Sequence, residues 1–315
     1  MHRLAALVLV AALAPASAQG AADAFANVAF PFVTPDTASA EALVAVPAEA
    51  SASSRALALD TEALDVAPSD VAEVSVESAA PVVLDVAAAP AFYVAAARAT
   101  LRADASDAAP VVGELRRRDG LRVLATDAVV TGADTTRWSL VDHYGQRGYV
   151  RADDLSNVWI RVDKSERTTF VYRGAELLRT LPADVSISPE DKLRRSQLGE
   201  TEHYRMPEGT FFVTRLNDRS QYYRAFVLSY PGPEHAQRGL EAGIIDQATF
   251  DAIVAADLAG EEPPMNTRLG GLIEIHGQGS GRRTAWTRGC VALRNVHMDE
   301  LWDVVRVGTP VVIEP

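Results

Sequence analysis

The amino-acid sequence predicts a mainly β protein of two folded modules, a small antiparallel barrel followed by a larger strand-rich domain that carries a helical insert. From Phe92 onward, short apolar runs such as Phe92-Tyr93-Val94 and Trp138-Ser139-Leu140-Val141 are broken by Gly, Asp and Ala-rich turns. From Val158 the runs become β-branched, aromatic and alternating. Only between Pro233 and Gly260 does the apolar spacing lengthen, through Leu240, Ile244, Phe250, Ile253 and Leu258, to a helical period.

Residues 1–18 read as a signal peptide. Arg3 gives a positive start, Leu4 to Leu13 is an apolar run too short to span a bilayer, and Ala16-Ser17-Ala18 has the small-x-small form of a processing site, with cleavage expected after Ala18. No later segment has the length of a transmembrane anchor, and the lone cysteine, Cys290, is far from the processing site and cannot carry an N-terminal lipid. The expected location is therefore periplasmic or extracytoplasmic, by secretion. Residues 19–91 read as an acidic disordered linker: as far as Pro90 it sets eleven acids against one base, Arg55, which is most of the chain's net charge of −12. The folded remainder is near neutral, and this acidity argues against nucleic acid as a partner.

Residues 92–157 form the predicted barrel, with strands at Phe92–Val94, Ala99–Ala103, Val111–Val112, Leu121–Leu124, Trp138–Val141 and Gly148–Val150. Trp138 and Tyr149 are read as packing residues before they are read as ligand contacts. Residues 158–315 form the second domain. Val158 to Val162 alternates, Arg173-Gly174-Ala175-Glu176 reads as a hairpin turn, Asn217–Ser220 as a polar turn between strands, and Gly271 to His276 as a strand. A short helix from Met298 to Val305, opening at Asn295 or just after it, precedes a last strand at Pro310–Ile313.

Cys290 is the only cysteine, so it has no internal disulfide partner, and His276 on Ile275-His276-Gly277 lies fourteen positions before it. A thiol is a weak nucleophile until a base takes its proton, which casts Cys290 as nucleophile and His276 as general base and acid. Gly289 permits a tight turn that aims backbone N–H groups at a developing oxyanion. Arg288 and Arg294 read equally as forks for a substrate carboxylate or as solvated charges. Thr287 orients the loop or meets substrate. The bland alternatives are a buried apolar cysteine and a structural histidine. His203, His235 and His297 read as surface residues. No ligand spacing such as His-x-x-x-His suggests a metal, and no cofactor is called for.

Several blocks occur in one order: Val158–Asp163, Thr169–Gly174, Arg205-Met206-Pro207-Glu208-Gly209-Thr210-Phe211, Leu228-Ser229-Tyr230-Pro231, Ile275-His276-Gly277, Thr287-Arg288-Gly289-Cys290-Val291-Ala292-Leu293 and Gly308–Ile313. Together they resemble the L,D-transpeptidase (YkuD-type) catalytic domain, over roughly half the chain. Residues 92–157 similarly resemble the bacterial SH3-like domain, a family whose modules bind cell-wall peptide or glycan.

The resemblance implies a β-sandwich-like fold, a His276–Cys290 catalytic pair, substrate contacts at Gly277, Thr287, Arg288 and Arg294, and peptidoglycan stem peptides as substrate. The expected reaction is a cysteine acyl-enzyme on the tetrapeptide stem, resolved by an amine of another stem or of an outer-membrane lipoprotein lysine. Alternatives are hydrolysis of stem or wall-to-lipoprotein links, as in a branch that shares the Tyr-Pro and Gly-Cys-Val-Ala features, and a non-catalytic wall-binding module. Arg288 stands where the family signature usually has His, and Ala292 where it often has Arg, with Arg294 two further on; these departures bear on substrate choice, since the nucleophile and base are intact.

Overall fold

The structure, a computed structural model, describes residues 86–131 and 134–315, without the side chains of 127–135. The sequence readings for the signal peptide and nearly all of the acidic linker lie outside the described residues.

Seven strands make the first sheet: β1 (Ala91–Val94), β2 (Arg98–Arg102), β3 (Val111–Arg116), β4 (Gly120–Thr131), β5 (Asp134–His143), β6 (Gln146–Arg151) and β7 (Leu155–Ser156). Their order is β3-β2-β6-β5-β4-β1-β7, with antiparallel pairing throughout. Alternation sends Val94, Leu101, Leu115, Val141 and Val150 to one interior, each removed from water. Trp138 is buried in this module and Tyr149 is half-buried.

The second domain runs β8 (Val158–Asp163), β9 (Thr168–Arg173), β10 (Glu176–Pro182), β11 (Val185–Ser186), β12 (Ser188–Asp191), β13 (Arg205–Met206), β14 (Gly209–Ser220), β15 (Tyr223–Leu228), α1 (Pro233–Glu241), α2 (Gln247–Ala259), β16 (Glu274–His276), β17 (Ala285–Thr287), β18 (Val291–Ala292), α3 (Asn295–Trp302) and β19 (Pro310–Glu314). Eight of these strands form a sheet in the order β10-β9-β8-β19-β14-β15-β16-β18, while β11 pairs with β17 and β12 with β13. The β9–β10 hairpin turns at Gly174, as its sequence predicts. Its core joins Ile160, Val171, Phe211, Phe226, Ile275, Val291 and Met298 under one roof of strands and α3. Burying each such side chain is worth about 1.5–3 kcal/mol.

Three local expectations change. β14 continues through Asn217 to Ser220, because those polar residues sit on a hairpin extension that stays paired, Asn217 with Ala225 and Ser220 with Tyr223, across a register shift. The strand expected from Gly271 shortens to Glu274–His276: Leu272 has φ +56°, and Gly271 packs so tightly that a Cβ there would lie 2.2 Å from the Met265 carbonyl oxygen. The terminal helix starts at Asn295 but stops at Trp302.

The two modules interlock. Tyr93 of β1 is buried beside Trp159 and Tyr172, whose rings stack at 4.4 Å, and its hydroxyl donates to the Val158 carbonyl at 3.0 Å while meeting Thr309 Oγ1 at 3.2 Å. Arg118 reaches from the first sheet to the end of α2, donating to the Asp257 carbonyl at 2.7 Å and lying 4.0 Å over the Phe212 ring. The helical insert is pinned there and by Ala236, Ile245, Ile253 and Leu269, so its movement as a whole lid requires breaking those contacts.

Removing the Tyr93 hydroxyl leaves the Val158 carbonyl without this buried donor. Tyr93→Phe is expected to lower unfolding stability by about 1–2 kcal/mol, measured by urea titration, with an unchanged far-UV circular dichroism spectrum.

Candidate active site

The site is built where the short parallel pair β16 and β18 ends. Ile275 stands opposite Val291 and His276 opposite Ala292, and Cys290 immediately precedes β18 with its sulfur against the Glu274 backbone N–H. Side chains alternate along a strand, and parallel partners in register share a face. Glu274, His276 and Ala292 therefore share one face, while Ile275 and Val291 point into the core. His276 closes β16 and Cys290 opens onto the neighbouring β18, so the two residues stand at adjacent strands of one sheet.

His276 is 2% exposed. Its Nδ1 lies 2.7 Å from the Gly277 carbonyl, so the neutral ring places its proton there and leaves Nε2 as a bare acceptor. Tyr222 stacks on the ring at 4.4 Å and Trp286 meets it edge-on at 6.1 Å. Burial holds its pKa below the ordinary histidine value, opposed by the bond to Gly277. Gly277 is itself enclosed: a Cβ there would lie 2.6 Å from the Tyr222 carbonyl oxygen.

Cys290 is half-buried, and its thiol donates to the Leu272 carbonyl at 3.7 Å. Burial pushes the thiol up to about 12, reinforced by the Glu274 charge and opposed by the Glu274 backbone N–H and by Lys192. Glu274 is pushed upward as well, by its own burial. Lys192 is buried, donates to the Glu202 carbonyl at 3.1 Å, and has its pKa lowered by burial.

Gly289 has φ +121°, and a Cβ on it would sit 2.8 Å from the Arg205 carbonyl oxygen, so no other residue fits the turn that presents Cys290. Thr287 closes this turn from beneath, its buried hydroxyl donating to the Cys290 carbonyl at 2.6 Å. The backbone N–H groups of Gly289 and Cys290 donate to no described residue. Arg288 and Arg294 are exposed; Arg294 lies along Gly281 and forms no ion pair with a described residue.

Asp184, which carries no signal in the sequence, organises the loop. It is fully buried, and its carboxylate accepts from Ser280 N at 2.6 Å, Ser280 Oγ at 2.8 Å, Thr284 N at 2.9 Å and Trp286 Nε1 at 2.9 Å. Burial opposes its charge, yet these donors outweigh it and hold the carboxyl below the usual range. Trp286 was legible only as a neighbour of the Thr287–Leu293 block, and Tyr222 only as a strand residue.

His203, His235 and His297 correct the surface reading. His235 is buried between the Phe211 and Tyr230 rings at 5.4 and 4.9 Å, and its pKa falls to about 4, chiefly through burial. His203 and His297 are half-buried, each with a ring nitrogen out of solvent. The apolar setting of His235 comes from Phe211 of β14, distant in sequence, and from Tyr230 after β15. Among the described residues no group of three His, Cys, Asp or Glu side chains is placed to hold a metal ion, and no helix is long and apolar enough to cross a membrane.

Residues 157–313 match the profile of the L,D-transpeptidase catalytic domain, YkuD. Solved structures similar to the chain include Bdellovibrio bacteriovorus Bd1075, at 23% identity over 50% of this chain and 48% of that one, with a TM-score of 0.34. Others are the L,D-transpeptidase (residues 123–326) from Xylanimonas cellulosilytica, 16% identical over 50% and 61% of the two chains with a TM-score of 0.31, and the L,D-transpeptidase from Mycobacterium smegmatis, 15% identical over 71% and 93% with a TM-score of 0.30. The match thus spans about half the length of Bd1075. No curated protein matches the sequence.

Asp184→Asn sets an NH2 group against N–H donors and is expected to cost about 3 kcal/mol of unfolding stability. Because the folded-state pKa is depressed, this contribution is present above about pH 3.9 and is lost as pH falls through the folded value. Urea melts of both proteins from pH 7 to pH 3 are expected to show the gap narrowing at the acid end.

Proposed function

Residues 157–313 belong to the L,D-transpeptidase catalytic-domain family, which acts on peptidoglycan stem peptides, and from that premise we propose that the chain is an extracytoplasmic cysteine acyltransferase of the tetrapeptide stem. The observation that carries the reading is the placement of His276 at the end of β16 and of Cys290 directly before the paired β18, with Nε2 unprotonated and the thiol on a glycine-bound turn.

Both groups rest neutral: burial raises the thiol and lowers the imidazole. A standing thiolate is therefore not the nucleophile. As a stem carbonyl enters, the sulfur leaves the Leu272 carbonyl, passes its proton to His276 Nε2 and forms the carbon–sulfur bond in one concerted act. The carbonyl oxygen, now negative, is met by the Gly289 and Cys290 amides, which donate to no described residue. Collapse expels the terminal D-alanine, its amine taking the proton from His276, and leaves a thioester on Cys290. An amine of a neighbouring stem or of a lipoprotein lysine then attacks, with His276 again as base. Where water attacks instead, the same thioester ends in hydrolysis. Thr287 keeps the turn in shape, Gly277 sets the imidazole tautomer, and Arg288 and Arg294 hold stem carboxylates at the cleft mouth. The 92–157 module acts as a wall-binding SH3-like domain.

Incubation of the purified protein with a disaccharide-tetrapeptide is expected to yield D-alanine and either a crosslinked dimer or a shortened stem, analysed by mass spectrometry. No turnover, together with no carbapenem adduct on Cys290, would overturn the enzymatic reading and leave the wall-binding one. His276→Ala is expected to slow acylation about 10²–10⁴-fold, and Cys290→Ala to abolish the adduct. With the imidazole pKa below 6.5, the acylation rate should hold through neutrality and decline only as pH drops under that value.

A further inference from the structure

Two residues beyond Lys192 the surface opens into a groove of about 450 Å³ whose wall includes Arg194, Arg195, Ser196, Asn266 and Arg268 and contains no acidic side chain. All three arginines are exposed, and none forms an ion pair with a described residue. This is unlike their neighbours, for Arg205, Arg215, Arg224 and Arg238 of the same domain each face a carboxylate. Arg195 joins the two banks of the groove, its side chain donating to Asn266 Oδ1 and its backbone N–H to the Arg268 carbonyl at 2.7 Å. Ser196 Oγ, buried beside them, has no hydrogen-bond partner.

The groove is close to the reacting sulfur. Arg268 lies four residues before Leu272, whose carbonyl receives the Cys290 thiol, so their Cα atoms are at most about 14 Å apart. A Cβ on Gly270, between them, would touch Lys192 Cε at 3.6 Å, which ties the two banks to the cleft wall. A peptide held at Cys290 spans the same distance with four residues of its own.

We infer that this groove is a carboxylate-binding subsite that selects stems with free acid groups, an inference that rests on the stem-peptide reading above. Guanidinium forks match carboxylates in pairs, and three of them that pair with no carboxylate of the described residues form a site for a multiply charged anion. Exposure keeps each contact modest and salt-sensitive, so discrimination comes from their number.

The test is calorimetric titration of the Cys290→Ala chain with disaccharide-tetrapeptide, with the same stem amidated at its free carboxylates, and with inorganic phosphate. R194Q/R195Q/R268Q is expected to weaken binding of the acidic stem about tenfold and to leave the amidated stem unchanged. The inference is overturned by equal affinities for the acidic stem, by an equal loss for the amidated one, or by phosphate displacing the stem at equal concentration. Thermal melts report the fold of the triple variant, and the three single variants, each with a partial effect, give the same answer if the triple unfolds. Since Cys290→Ala performs no chemistry, stem binding without turnover by the native chain defeats the acyltransfer reading alone, whereas turnover with unaltered binding in the variants defeats the subsite alone.

Discussion

One carboxylate shut away from water, Asp184, governs the geometry on which the rest of the site depends. Its backbone exchanges both hydrogen bonds with Ala292, at 2.9 and 2.8 Å, and Ala292 is the register partner of His276. Its side chain collects the donors of Ser280, Thr284 and Trp286. A buried charge persists only when its lone pairs are met, so the loop has little freedom to rearrange while Asp184 stays ionised. The same residue thus sets β18 beside β16 and holds Trp286 at the edge of the imidazole.

The electrostatics of the site follow from enclosure. Removing water disfavours charge on both partners, raising the thiol and lowering the imidazole, so the pair rests as neutral thiol and neutral base. The Glu274 charge raises the thiol further, while Lys192 leans the other way. In the proposed reaction the missing ingredient is substrate: charge develops only once a carbonyl stands by the unpaired amides of the Gly289 turn.

The first sheet contributes to the catalytic domain's rigidity as well as to its own core. Tyr93 bonds Val158 and Thr309 at opposite ends of the second domain's sequence. Arg118 links the same module to α2, so the helical insert is tied to both modules. The helical insert is, in three dimensions, a bracket in which His235, Ala236 and Ile253 are buried.

What the sequence determined by itself was whatever depends on near neighbours along the chain: the strand texture, the helical character of the insert, the Gly174 hairpin, and the pairing of a glycine turn with Cys290 and of Gly277 with His276. Period-two burial and a backbone angle open only to glycine are local demands and leave local traces. Only the tertiary structure decided where β14 and β16 end, that His235 is interior, that Asp184 holds the loop from Ser280 to Trp286, and that Arg194 and Arg268 share a groove. Those outcomes rest on contacts such as Asp184 with Ser280, 96 positions apart, where burial and register are set by packing that a linear pattern does not encode.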